Sequence, residues 1–380
     1  MRKVADAAGA AGSLEVRGVR AGAFNPGLWT SGELHWVPHR PMPMLSGKNI
    51  YAPTVVRDAE GWRIFYGGWD LGRGGHDCIY TAWTPDFGSF EDRRVVIGNG
   101  QFRHVCNCSA VRLPNATYYL MATCCVMRPE RRNLPGCFRS PDTRTWNDSV
   151  SYAAKQMDLV TIEGYKGFLT ADINGMNVVL FEEGVYRLYF CNFRERGFVW
   201  RASSEDGKQY AYDGIALKSM SFANDVKKFG VGGTPWYLMA LHRNTDRLWY
   251  SIAKGDGLSF VKEQLLMKNQ GASDRYIVAV GLVADATSVY GFLYGASPTR
   301  SLNTNKIFAQ WLQKRVEFVG KDGGVTTCTA AHGPDRARMP LPNGTATGHF
   351  RVRAEDGETL LYTGPEVTIK AGDVWQVSGK

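Results

Sequence analysis

The sequence predicts an all-β protein, a five-bladed β-propeller with a small C-terminal β appendage. Three observations carry that prediction. One strand–turn–strand unit recurs five times between residues 49 and 318. A further strand ending in an Asp turn follows four of the five units, with the Asp recurring every 50 to 64 residues. Aromatic residues reach 12%, with 11 Trp and 17 Tyr, a content that suits strands and also surfaces that stack on sugar rings.

The five hairpin units are Thr54–Gly67, Ser109–Ala122, Val178–Phe190, Val226–Ala240 and Gly281–Tyr294. Each reads as a short apolar strand, a polar turn and an aromatic strand. The Asp turns fall at Asp86, Asp142, Asp206 and Asp256, and an aromatic follows each: Phe90, Trp146, Tyr210 and Phe260. Asp suits a turn because its carboxylate caps nearby backbone N–H groups. The fifth unit has a third strand at Lys306–Leu312 but no Asp turn, as terminal repeats are often atypical. A β-sandwich also alternates strands and turns, but it would not repeat a two-part pattern at this period.

The segment before the repeat, residues 1–48, contains Trp29, Glu33-Leu-His35 and Trp36. It would either cap the cavity mouth or close the ring as an outer strand. Residues 319–380 break the pattern with Gly-Pro and Pro-Asn-Gly turns and short alternating strands such as His349–Arg353 and Val367–Lys370, which define the appendage. The N-terminus starts with basic residues, but it has no apolar core segment and Asp6 interrupts it. The expected location is therefore the cytoplasm, or outside the cell after loss of a leader. No stretch approaches 18 apolar residues, so no membrane partner is expected.

Net charge is +9, with no run of five basic residues; the densest are Arg128–Arg132 and Lys227-Lys228. Such dispersion excludes a nucleic-acid footprint and fits a solvated surface. Eight cysteines include Cys106-x-Cys108 and adjacent Cys124-Cys125, but no C-x-x-C pair, so they read as small buried side chains and not as a zinc site. No cofactor is expected, although His104 and His242 could bind either substrate or a structural cation in a central channel.

Ile50-Tyr-Ala-Pro-Thr-Val-Val56, followed by Gly61-Trp-Arg-Ile-Phe-Tyr66, resembles the recurring strand pair of the five-bladed propeller glycosidases, the group of arabinanases, xylosidases and fructan hydrolases. The resemblance covers about residues 49–318. It implies carboxylates on the innermost strands that converge on the axis, one as acid and one as base or nucleophile. Here the first two units open without one, at Asn49–Pro53 and His104–Ser109, while Asp172, Asp225 and Asp274 open the last three. The implied acids are thus Asp172 and Asp225, shifted around the ring, with Asp274 as an alternate.

Glu163, just before the third unit, stands near the place of the group's acid. The glycine-rich stretch Gly67–Asp77 adds Asp70 and Asp77 as catalytic alternates, with Trp69 placed to stack on a sugar. It lacks the pattern of a phosphate loop. Asn49, Tyr51, Trp69, His76, His104, Asn107 and Asn174 are the expected substrate-binding residues. The reading is a glycoside hydrolase acting on an oligo- or polysaccharide. A non-catalytic carbohydrate-binding propeller, or a propeller enzyme with lyase or biosynthetic chemistry, stands beside it.

Overall fold

The computed structural model describes residues 16–17, 23–32, 34–58, 60–70, 76–331, 336–338, 344–353 and 359–378. Almost everything described is β-structure; a six-residue helix, Pro26–Ser31, and one turn of 3-10 helix are the exceptions.

Five sheets carry the repeat. Their inner strands are Ile50–Arg57, Val105–Arg112, Val178–Glu182, Phe222–Val231 and Tyr276–Ala284. Each pairs antiparallel with the aromatic strand of its own unit: Trp62–Gly68, Tyr118–Val126, Val185–Asn192, Thr234–His242 and Val289–Ser297. Third strands follow at Cys78–Thr84, Arg132–Ser140, Glu195–Ser204, Arg247–Lys254 and Lys306–Leu312. The inner strands touch one another in cyclic order, the fifth returning to the first, so the arrangement is propeller-like.

Packing follows the same order. Five apolar clusters fill the spaces between successive sheets. Phe65 and Leu120 meet between the first two, and Trp311 and Tyr66 between the fifth and first. Both faces of each sheet are covered, which explains why the aromatic strands read as nearly continuous apolar runs.

The Asp turns form as the sequence anticipates. Asp86 Oδ1 accepts from Gly88 N at 2.8 Å, Asp142 Oδ1 from Thr145 N at 2.7 Å, Asp206 Oδ1 from Lys208 N at 2.8 Å and Asp256 Oδ1 from Leu258 N at 2.9 Å. Two of these turns also lock onto the preceding sheet. Tyr119 donates to Gly207 O at 2.5 Å and Tyr189 to Gly257 O at 2.8 Å. Gly207 and Gly257 have positive φ (72° and 65°), and an added Cβ would fall 2.9 Å from Tyr119 and 2.8 Å from the Tyr189 hydroxyl. Backbone conformation and space both demand glycine there.

The inner strands meet through side chains. Thr54 Oγ1 accepts from Ala110 N at 3.3 Å, Ser109 Oγ from Val179 N at 3.0 Å, and Asp225 Oδ2 from Leu282 N at 2.8 Å. Each polar side chain thus satisfies a backbone N–H of the next sheet's inner strand.

The chain's start supplies the fifth sheet's fourth strand. Trp36–Arg40 pairs antiparallel with Lys306–Leu312, Val37 opposite Trp311. Trp29 is buried against Tyr250, whose hydroxyl donates to Trp29 O at 2.7 Å. Glu33 and residues 1–15 lie outside the described residues. Toward the C-terminus, Arg315–Gly320, Val325–Thr327, Thr345–Arg353 and Leu360–Lys370 form a separate four-stranded sheet. Its own core contains Val316, Phe318, Phe350 and Ile369.

Asp225 is buried and also pairs with Lys227 Nζ at 3.0 Å. Removing it orphans both the Leu282 N–H and the ammonium. Asp225→Ala is expected to cost about 2–4 kcal/mol of unfolding free energy. Asp225→Asn, which keeps the acceptor oxygen, should cost less; urea denaturation measures both.

Candidate functional site

One end of the ring encloses a cavity of about 420 Å³. All five sheets contribute to it. Tyr51, Cys106, Asn107, Val278 and Ala279 come from inner strands, and Asn174, Gly175 and Met176 from the loop entering the third. Bulges lie at these places: register shifts fall between Tyr51 and Thr54, Cys106 and Ser109, Ala223 and Asp225, and Ile277 and Ala279. A bulge turns side chains away from the regular pleat. Asn107 occupies the left-handed region with φ 51°, which Asn tolerates better than most residues.

The rim comes from the loops joining second and third strands. Trp69 and Asp77 flank that loop in the first sheet, Arg131 and Phe193 sit in it in the second and third, Asn244 in the fourth, and Leu302, Asn303 and Asn305 in the fifth. Residues 71–75, the middle of the glycine-rich stretch, lie outside the described residues.

Asp77 is the single carboxylate among the described residues that line the cavity. Tyr51 donates its hydroxyl to Asp77 Oδ2 at 2.5 Å, while buried Oδ1 has no partner among the described residues. Burial pushes the Asp77 carboxyl above the usual carboxylate range, against the opposing pull of the Tyr51 hydrogen bond and of His104 and His76. The Tyr51 phenol is pushed well up by burial and by neighbouring Cys106 and Asp77, so it remains a donor.

Of the residues singled out by sequence, Tyr51, Trp69, Asp77, His104, Asn107 and Asn174 meet in this cavity. Trp69 is half-buried. Asn107 Nδ2 donates to Asn174 Oδ1 at 3.4 Å. Asn49 lies behind the wall, fully buried, accepting from Asn305 N and Nδ2 at 3.0 Å each. His76 is exposed, its Nδ1 3.2 Å from Arg103 O.

The expected convergence of the other acids does not occur, and each has a structural reason. Asp225 bridges two inner strands, as described above. Asp274 accepts from Gln270 N, Gly271 N and the Tyr294 hydroxyl, pinning the loop before the fifth inner strand. Asp70 takes the Tyr66 hydroxyl at 2.9 Å and Arg93 Nε at 2.6 Å. Glu163 is exposed on a strand, Thr161–Glu163, at the outer edge of the third sheet. Asp172 sits behind the rim, accepting from Asn133 N and Nδ2.

Cys106, Arg131, Phe193, Asn244, Asn303 and Asn305 were not anticipated. Their signal was positional: all but Cys106 lie in the loop between a unit's aromatic strand and its third strand, where the loops crowd one end of the ring. All eight cysteines are free thiols, six of them buried. Among the described residues no group of three or more His, Cys, Asp or Glu is arranged to hold a metal ion, and no helix is long and apolar enough to cross a membrane.

Solved structures share this architecture. A candidate glycosidase from Bacteroides thetaiotaomicron superposes with a TM-score of 0.54 at 11% identity, over 76% of this chain and 99% of that one. The catalytic domain of an α-L-arabinofuranosidase from Coprinopsis cinerea gives 0.52 at 14% identity, over 74% and 97%. The fold is that of the propeller glycosidases. Fructan 1-exohydrolase IIa from Cichorium intybus gives 0.51 at 12% identity, over 83% of this chain and 65% of that one. No sequence-family model matches the chain, and no curated protein matches it by sequence. The likeness is one of fold, and the site has to argue for itself.

His242 closes the cavity's fourth side. Burial lowers its pKa from the usual 6.5 to about 4, and its Nδ1 lies 2.7 Å from Asn224 Oδ1. The folded state therefore holds the imidazole neutral where the unfolded chain would protonate it. Stability should fall as pH drops through the window from 6.5 towards about 4, by up to about 3 kcal/mol. His242→Gln should flatten that part of the stability–pH curve, read by chemical denaturation.

Proposed function

We propose that the chain is a glycoside hydrolase whose cavity takes the end of an oligo- or polysaccharide, with Asp77 transferring the proton at the scissile bond. The five sheets are then the blades of one propeller spanning about residues 49–318. Strand Trp36–Arg40 of the N-terminal segment closes the ring, and residues 319–380 form an appendage whose four-stranded sheet starts with Arg315–Gly320, while Thr329–Ala331, Arg336–Arg338 and Val374–Ser378 extend the fifth sheet beyond Trp36–Arg40.

One observation carries this reading. Asp77, the single carboxylate among the described residues of the cavity lining, is held by Tyr51, its other oxygen without a partner among those residues, amid Asn107, Asn174, His104 and Trp69. Amides, an imidazole and an indole are the groups that bind sugar hydroxyls and ring faces. A carboxyl whose hold on its proton is strengthened by burial suits a general acid, which must deliver that proton to the departing glycosidic oxygen. The glycosidase fold supports the same substrate class.

A second reading is favoured by the absence of a second carboxylate from the described lining. Glycoside cleavage ordinarily uses two, so a cavity with one also fits a carbohydrate-binding propeller without catalysis.

Release of sugar from aryl-glycosides and a polysaccharide panel separates the two. Asp77→Asn should lower kcat by roughly 100-fold or more, the range general acid catalysis contributes, with sugar binding retained. Binding without any release by the wild-type protein would establish the second reading.

A further inference from the structure

A hydrogen-bonded chain behind the rim leads from Asp172 to the cavity. Asn133, in strand Arg132–Ser140, donates both its backbone N–H and its Nδ2 to Asp172 Oδ1, at 2.8 and 2.7 Å. Asp172 is anchored in turn: its N–H donates to Asn192 Oδ1 at 3.1 Å and its carbonyl accepts from Phe193 N at 2.8 Å. With the NH2 group of Asn133 committed to a carboxylate, its Oδ1 can only accept. His104 Nε2 lies 3.1 Å from that oxygen. A ring nitrogen facing an acceptor carries the proton, so neutral His104 is the Nε2–H tautomer and its lone pair is on Nδ1. Nδ1 makes no hydrogen bond to a described residue. The ring lines the cavity together with Asp77.

We propose that Asp172 is a positioning residue: through Asn133 it fixes the His104 tautomer, and His104 Nδ1 is the cavity's proton acceptor. This rests on the hydrolase reading and supplies the base that a lone carboxylate leaves missing. Nδ1 takes a proton from water as the water oxygen forms its bond to the anomeric carbon. The glycosidic C–O bond breaks, and the leaving oxygen takes the proton of Asp77. Asp77 ends ionised and His104 protonated, and solvent returns both to their starting states. Burial keeps the imidazole below its usual pKa, Arg103 and Arg131 push the same way, and Asn133 and Asp77 oppose them.

Long-range 15N–1H NMR of the full chain without substrate reads the tautomer directly. Wild type should show His104 protonated on Nε2 alone at neutral pH, with a pKa under 6.5. Asp172→Ala should yield a mixture of both tautomers, and Asp172→Asn, which keeps an acceptor for Asn133, should restore much of the single form. A wild-type ring protonated on Nδ1, or a tautomer untouched in Asp172→Ala, overturns the proposal. Should that variant not fold, Asn133→Ala removes the same restraint, and the wild-type spectrum alone can already refute it. Where sugar is released, Asp172→Ala should lower kcat roughly 10- to 100-fold, as loss of an orienting partner does, with KM little changed. A correct tautomer in a protein that releases no sugar fails the hydrolase reading and leaves the orienting role of Asp172 standing.

Discussion

The inner strand of each sheet has one edge bonded to its own hairpin partner and the other edge turned to the axis. Backbone N–H groups on that second edge are buried without a ladder to join, and an unsatisfied buried N–H costs on the order of 1–3 kcal/mol. Thr54, Ser109 and Asp225 answer this by reaching across to Ala110, Val179 and Leu282. The five apolar clusters hold the sheets face to face, but these side chains set how the inner strands sit against one another. Register at the axis, and hence the shape of the cavity above it, depends on them.

That constraint explains where the acids went. A threonine, a serine and an aspartate do the same job at three interfaces, so an Asp on an inner strand is no sign of catalysis by itself. Asp274 and Asp70 likewise satisfy backbone or phenol donors. Asp77, the single carboxylate among the described residues lining the cavity, lies on a loop.

The fold was legible because the repeat is dense in local signals. Hairpins such as Trp62–Gly68 with Ile50–Arg57, and the capped turns at Asp142 and Asp206, follow from strand periodicity and short-range capping. Strand Trp36–Arg40 was harder to place, since its partner Lys306–Leu312 is distant in sequence. The site was half legible. Tyr51, Asn107 and Asn174 stand at inner-strand entries, where the repeat itself points. The direction of Asp225 was hidden, because it is set by the bulge after Ala223 and by Leu282 in another sheet. Arg131, Phe193 and Asn305 were hidden for a simpler reason: loops of unequal length leave no common position to align.

This division has a consequence for chemistry on such a scaffold. The strands answer to packing and to the axial N–H groups, which any short acceptor can satisfy, so sequence can drift to 11–14% identity while the fold persists. The rim answers only to the ligand. Here it brings together a carboxyl and an indole from one loop of the first sheet and an imidazole held by an amide of the second. Burial raises the affinity of Asp77 for a proton and lowers that of His104. The first shift favours a group that gives a proton and the second a group left free to take one, the pairing the proposed hydrolysis needs. On the proposed hydrolase reading His104 stands in for the second carboxylate, and the position that group would occupy is free to serve the scaffold.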